Sequence, residues 1–111
     1  MTAEELAALK AQLCDERDEL ISLSTRTKDD RAPVALDQQS VGRLSRMDAL
    51  QQQSMDLARE EMRLRRRQVI AAALKRIEAD DYGYCLVCGE DIPYKRLQAD
   101  ATATRCITCM S

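Results

Sequence analysis

The amino-acid sequence predicts a mainly α-helical protein, in which an antiparallel two-helix coiled-coil hairpin is followed by a small C-terminal four-cysteine zinc-finger module. Three observations predict this fold class. Leucines recur at helical spacing before a break that contains a proline, a second long helical stretch follows the break, and two Cys-x-x-Cys pairs lie near the C-terminus. We expect the hairpin at residues 1–80, with its bend at about 29–39, and the module at residues 81–111.

The composition supports helices that pack along a narrow seam rather than around a large core. The chain of 111 residues has no Phe, no Trp and three Tyr, and 32% of its residues are charged. A formal net charge of −2 is unusual for a protein that binds nucleic acid through its charge. No apolar run is long enough to span a membrane, and the N-terminus does not resemble a signal peptide. We therefore expect a cytoplasmic protein, and a monomer.

The first helix begins at Thr2, which forms a capping-box pattern with Glu5. Leucines then recur at spacings of three, four and seven, which is typical of a two-helix seam. These leucines are Leu6, Leu9, Leu13, Leu20 and Leu23. Cys14 lies beside this stripe, where we expect a small, half-buried residue.

The segment around Pro33 is predicted to end the first helix and to form the bend, because proline lacks the backbone N–H that a helix requires. A second helix is expected from about Ser40 to Ala79, with Asp37 or Ser40 as its N-cap and Gly83 as its stop. We expect its apolar residues to form a drifting stripe that faces the first helix. This stripe comprises Val41, Leu44, Met47, Leu50, Met55, Leu57, Met62, Leu64, Val69, Ala73 and Ile77.

The two cysteine pairs have the spacing of a zinc site, because each Cys-x-x-Cys turn directs two sulfurs toward one tetrahedral ion. The predicted ligands of one Zn²⁺ are Cys85, Cys88, Cys106 and Cys109. Gly89 directly follows the first pair, where such turns need a left-handed residue. Four cysteines fill the coordination sphere and the chain has no histidine, so we expect a structural zinc and no enzyme activity. The alternative is a redox pair or structural disulfides.

A basic cluster lies in the second helix and continues into the module. It comprises Arg63, Arg65, Arg66 and Arg67, together with Lys95 and Arg96. One interpretation is a solvated helix surface whose arginines pair with Glu60 and Glu61 at i, i+4 spacing. The other interpretation is contact with an acidic partner surface or a phosphate.

The C-terminal sequence carries a specific family pattern. It reads YGYCLVCGEDIPYKRLQA from Tyr82 and closes with CITC. This sequence resembles the DksA/TraR family of bacterial transcription factors, closely over the C-terminal quarter and more loosely over the hairpin. The resemblance implies direct binding to RNA polymerase without sequence-specific DNA binding. In that family the coiled coil enters the secondary channel and modulates initiation, commonly with guanosine tetraphosphate in the stringent response.

The resemblance also identifies positions where this chain differs from the family. The family tip commonly reads Asp-x-x-Asp-x-Ala, and the candidate tip residues here are Asp37, Ser45, Asp48 and Ala49. Asp100 follows the Arg-Leu-x-Ala motif, where the family usually has a basic residue that helps to bind the nucleotide. We also expect a short family member without the C-terminal helix that longer members carry.

Three functions are consistent with these observations. The first is a DksA-like regulator that binds RNA polymerase. The second is a zinc finger that binds nucleic acid through its basic cluster. The third is a helical adaptor or redox-sensing zinc protein with an unrelated partner.

Overall fold

A computed structural model describes residues 1–33 and 43–109, and the side chains of residues 43–45 are not described. Two long helices, α1 (Ala3–Arg26) and α2 (Arg43–Glu78), precede a short helix, α3 (Tyr94–Ala99). Two 3₁₀ turns lie at Lys28–Arg31 and Ile107–Cys109. The molecule extends over 63 × 28 × 20 Å. The predicted fold class, a mainly α-helical chain with a C-terminal four-cysteine cluster, is therefore confirmed.

The capping box predicted at the start of α1 is present. The Thr2 hydroxyl accepts a hydrogen bond from the Glu5 backbone N–H at 3.1 Å, and the Glu5 carboxylate accepts one from the Thr2 N–H at 2.9 Å. At the other end, the Thr27 hydroxyl and backbone N–H both donate to the Leu23 carbonyl. The chain then enters the 3₁₀ turn and reaches Pro33, where the described part of the bend stops.

The core lies at one end of the molecule, where α1, α2 and the C-terminal module meet. Leu9 and Leu13 of α1 are fully buried there, with Leu6 and Leu20 partly buried, as the leucine stripe predicts. Ile70 of α2 is fully buried in the same cluster. The other buried members are Ala73, Ile77, Tyr82, Cys85, Ile92, Leu97, Ala101 and Ala103. Because the cluster draws on all three parts, the module and the hairpin stabilise each other.

The predicted apolar stripe of α2 is wrong over most of the described helix. Its members between Met47 and Val69 are 44–62% exposed, whereas Ile70, which we did not include, is fully buried. Polar residues take the inner positions instead: Gln53 donates to the Ala32 carbonyl and Glu60 accepts from Ser24 of α1. The stripe prediction failed because polar side chains take the inner positions where α1 and the turn that follows it supply partners. Of the remaining members, Ala73 and Ile77 are buried as predicted, Val41 lies outside the described residues, and so does the side chain of Leu44.

The end of α2 differs from the predicted glycine stop. Asp80, at φ 56°, is the left-handed residue that terminates the helix. Its N–H donates to the Ile77 carbonyl, and the Asp81 N–H donates to the Arg76 carbonyl at 2.8 Å, which is the Schellman pattern. Gly83 is also left-handed, at φ 93°, but it lies in the turn that leads into the module.

The start of α2 is described only from Arg43, so the predicted caps Asp37 and Ser40 lie outside the described residues. Among the described helices, none combines the length and the apolar character that a membrane span requires.

Candidate metal centre and its surroundings

The four predicted zinc ligands lie together at the end of the module. The sulfur atoms of Cys85, Cys88, Cys106 and Cys109 are all within 4.8 Å of one another. The Cys88 and Cys106 sulfurs are 3.7 Å apart. Four sulfurs bound at about 2.3 Å to a tetrahedral zinc ion are separated by about 3.8 Å. The donor set and its spacing therefore fit one zinc ion.

The first cysteine pair is shaped by a tight backbone turn. The Gly89 N–H donates to the Cys85 carbonyl at 2.9 Å, and Gly89 takes the predicted left-handed conformation at φ 77°. On either side of the turn, the Cys85 N–H donates to the Glu90 carbonyl and the Ile92 N–H donates to the Gly83 carbonyl, each at 2.8 Å. These hydrogen bonds join the two segments that flank the turn, so Cys85 and Cys88 are positioned by local contacts.

The second pair is brought to the first by a contact between distant parts of the chain. The Leu86 N–H donates to the Thr104 carbonyl at 2.8 Å, which joins the first turn to the segment that precedes Cys106. The Cys109 N–H then donates to the Cys106 carbonyl at 3.1 Å within the 3₁₀ turn. The cluster is thus built from two local turns and one bond between them.

The electrostatics of the cluster favour a bound dication. Backbone N–H groups of Cys88 and Cys106 stabilise the thiolate of Cys85 and lower its pKa to about 6. Contact with the Cys106 sulfur and burial raise the pKa of Cys109 to about 12. Thiolates this close repel one another, and a zinc ion offsets that repulsion. Four sulfur ligands leave no open coordination position, so the arrangement suits a structural metal rather than a catalytic one.

Asp100 and Arg66 form an ion pair that the sequence did not predict. Arg66 donates from Nη2 to Asp100 Oδ1 at 3.2 Å and from Nη1 to the Thr102 hydroxyl at 3.0 Å. Its Nε and Nη2 atoms also donate to both carboxylate oxygens of Glu16, at 2.5 and 3.0 Å. The hydrogen bonds to Glu16 and Asp100 raise the pKa of Arg66 although partial burial opposes them.

Asp100 is held by more than Arg66. Its carboxylate accepts from the backbone N–H and the hydroxyl of Thr102, at 3.1 and 2.7 Å. Partial burial raises the pKa of Asp100, but the hydrogen bonds from Thr102 and Arg66 outweigh this effect and lower it. The residue that occupies the family's basic position is therefore an acceptor inside the protein. In the sequence, Asp100 was distinguished only as an acidic residue directly after the Arg-Leu-x-Ala motif.

The other basic candidates differ in how accessible they are. Arg65 pairs with Glu61 at 3.0 Å on an exposed helix face, as the i, i+4 interpretation predicts. Arg63 is largely buried and pairs with Glu60 at 3.3 Å. Arg96 donates from Nε to the Arg105 carbonyl at 2.7 Å. Lys95 is exposed and Arg67 is half-buried.

The candidate tip residues lie far along the chain from the metal centre. Asp48 and Ala49 are exposed in the first turns of α2. Ser45 belongs to the same helix, but its side chain lies outside the described residues, as does all of Asp37. Cys14 is half-buried on α1, in agreement with its predicted environment.

The fold and the site define a class of protein: a helical hairpin with a four-cysteine zinc finger packed against its base. Residues 80–110 match the prokaryotic dksA/traR C4-type zinc finger. The solved structure of transcription factor DksA2 from Pseudomonas aeruginosa is similar over 97% of this chain and 81% of its own, with a TM-score of 0.79 and 25% identity.

Curated relatives show the same likeness in sequence. The RNA polymerase-binding transcription factor DksA of Haemophilus influenzae is 41% identical over 56 residues, which cover 50% of this chain and 39% of that protein. The Escherichia coli K12 protein of the same name is 48% identical over 40 residues, which cover 36% of this chain and 26% of that protein. The chain thus matches less than half the length of these relatives. The zinc-finger match covers the C-terminal part of this chain, and the fold is similar to that of DksA2.

Proposed function

We propose that this protein binds bacterial RNA polymerase and modulates the initiation of transcription. The observation that carries the proposal is the combination of a DksA-type zinc finger with a fold that is similar to that of DksA2 over 97% of this chain. The curated relatives that match part of this chain are named for binding RNA polymerase. We also propose that the protein is cytoplasmic, where its proposed partner is found, and that it is a monomer.

The proposed mechanism uses α2 as the arm that reaches the polymerase. Its 36 residues form a rod of about 54 Å at 1.5 Å per residue. A rod of this length suits entry through the secondary channel, which the family resemblance implies. Asp48 and Ala49, near the free end of the described arm, are our candidates for the residues that act there, together with Asp37 and Ser45.

The surface of the arm supports a protein partner over nucleic acid. Met47, Leu50 and Met55 are each about half exposed in its first half. Exposed apolar side chains in such number commonly mark a surface that contacts protein. Three of the arginines that would form a phosphate-binding patch, Arg63, Arg65 and Arg66, already pair with acidic residues. Arg67 and Lys95 are better placed for a partner, as is the exposed pair of Arg65 with Glu61, and Arg96 follows Lys95 in sequence.

In this proposal the zinc ion is structural and the protein has no catalytic role. The four cysteines would hold the ion at the base of the arm, where the finger shares the buried cluster with α1 and α2. Zinc binding would then supply folding free energy, because the ion joins two cysteine turns that lie far apart in sequence. The division into a hairpin at residues 1–80 and a module at residues 81–111 follows this distribution of roles.

We further propose that regulation by this protein does not depend on guanosine tetraphosphate. Asp100 stands where the family commonly places a basic residue, and its carboxylate accepts hydrogen bonds from Arg66 and Thr102. A carboxylate at this position repels phosphate groups, and its partners leave it little freedom to move away.

A binding experiment with purified core RNA polymerase tests the proposal. We expect the zinc-loaded protein to bind at micromolar concentration and to compete with Gre-type factors for the secondary channel. A Cys88→Ser variant serves as the control with a damaged finger. If polymerase does not retain the wild-type protein, the proposal is wrong. In vitro transcription from a ribosomal promoter, with and without guanosine tetraphosphate, tests the sign of regulation and its proposed independence of the nucleotide.

A further inference from the structure

Arg66 joins three parts of the molecule through one guanidinium group. It belongs to α2, it holds both carboxylate oxygens of Glu16 in α1, and it donates to Asp100 and Thr102 in the module. An arginine that binds a carboxylate through two nitrogens is strongly directional. Any displacement of Asp100 and Thr102 therefore changes the environment of the same group that connects α1 to α2.

The segment that carries Asp100 and Thr102 is also held by the zinc finger. The buried Tyr82 hydroxyl donates to the Ala101 carbonyl at 2.6 Å, and the Leu86 N–H donates to the Thr104 carbonyl at 2.8 Å. Ala101, Thr102 and Ala103 are buried between these contacts. Cys106 follows Thr104 by two positions. One short segment thus contacts Arg66 at its start and leads into a zinc ligand at its end.

We propose that Arg66 couples occupancy of the metal site to the pairing of α1 and α2. When the four cysteines are held together, the segment from Asp100 to Thr104 is fixed and presents its acceptors to Arg66. When they are not, the segment loosens, Arg66 loses two of its three partners, and the base of the hairpin weakens. This inference goes beyond polymerase binding and does not depend on it.

The coupling has a reciprocal consequence that can be measured on the isolated protein. If zinc stabilises the hairpin through Arg66, then loss of Arg66 must weaken zinc binding by the same factor. For Arg66→Met we expect zinc affinity about tenfold weaker, within the usual range for coupled sites. The affinity is measured by competition with a chelator at fixed pH.

Arg65→Met is the matched control for this measurement. Arg65 is the neighbouring arginine, its side chain is 62% exposed, and its ion pair with Glu61 stays within α2. We expect its zinc affinity to equal that of the wild type. Equal affinities for the wild type and Arg66→Met, or equal losses in both variants, would overturn the proposal.

A second measurement separates coupling from simple loss of stability. Backbone hydrogen exchange is followed in α1 around Glu16, with zinc and after its removal. In the wild type, removal of zinc should speed this exchange. In Arg66→Met, exchange should be fast in both conditions. If zinc removal speeds exchange in the variant by the same factor as in the wild type, Arg66 has only a structural role.

Asp100→Asn keeps the proposal testable if Arg66→Met does not fold. This variant retains the ion pair between Arg66 and Glu16 and removes only the charge on the module side. We expect weaker zinc binding and a smaller effect of zinc on exchange in α1. Wild-type behaviour in both measurements would contradict the coupling.

Discussion

Adjacent residues of α2 provide a sharp test of which helix face packs against the rest of the molecule. Val69 belongs to the stripe that the sequence predicts to be inside, but it is 45% exposed. Ile70 does not belong to that stripe and is fully buried. Replacing each with alanine therefore separates the sequence pattern from the observed packing.

For Ile70→Ala we expect a loss of about 3 kcal/mol in the free energy of unfolding. The substitution removes three carbon groups, each worth about 0.8 kcal/mol when buried. The cavity left behind adds to the cost, and the higher helix propensity of alanine returns about 0.4 kcal/mol. The total falls within the range of about 2–5 kcal/mol seen for such substitutions.

For Val69→Ala we expect a change within about 0.5 kcal/mol of zero. Its two lost methyl groups are about half exposed, and the gain in helix propensity offsets the small loss of burial. Both variants are compared with the wild type by urea unfolding in excess zinc, followed by circular dichroism. A larger loss for Val69→Ala than for Ile70→Ala would refute the packing described here.

Four further predictions follow from the site and the helix ends. Cys88→Ser should lower bound zinc and unfold the module, and an unchanged zinc content by atomic absorption would contradict the four-ligand site. Asp48→Asn should leave polymerase binding intact and weaken the effect on transcription; unaffected in vitro transcription would remove Asp48 from the tip. Asp80→Gly should stabilise the protein by about 1 kcal/mol, because glycine adopts φ 56° without strain, and a lower thermal midpoint would argue against this helix end. Burial raises the pKa of Glu60, but hydrogen bonds from Ser24 and Arg63 outweigh it and lower the pKa below its ordinary 4.5. Ionised Glu60 therefore stabilises the fold fully above pH 4.5, and this stabilisation is lost as the pH falls through the lowered pKa. As the pH is lowered, the free energy of unfolding should fall less steeply for Glu60→Gln than for the wild type. Identical curves would contradict this role of Glu60.

The ion pairs of Glu60 with Arg31 and Arg63 explain why the hairpin tolerates polar residues between its two helices. Glu60 is 13% exposed at its side chain and lies within 3.5 Å of Arg31 and 3.3 Å of Arg63. The Arg31 guanidinium also donates to the Ser24 carbonyl and the Thr27 hydroxyl at the end of α1. Half-buried charges with this many partners define one register of the two helices, because a shift by one turn would leave them unpaired.

The exposed apolar side chains of α2 lie outside the contact between α1 and α2. As seam residues they would have been part of the folding core. On the outer face of the arm, Met62 and Leu64 are 62% and 44% exposed, so they contribute little to the fold. They are available to the partner that the proposed function requires.

Features that depend on neighbours in sequence could be determined from the sequence alone. The capping box of Thr2 and Glu5, the left-handed Gly89 and the two cysteine turns each involve residues a few positions apart. The zinc site could be predicted because cysteine is the strongest zinc ligand in a chain without histidine, and the Cys-x-x-Cys spacing indicates two turns that converge on one ion. The family pattern around Cys85 is of the same local kind.

Features that depend on residues far apart in sequence were decided only by the tertiary structure. The inward face of α2 could not be predicted from its apolar pattern, because the partners of Gln53 and Glu60 lie on or beyond the end of α1. The pair of Arg66 and Asp100 exists because the module folds back onto the helix, and nothing near either residue in sequence indicates the other. A polar side chain is stable at a seam or in a core when its partners meet it, and only the folded chain determines where they meet.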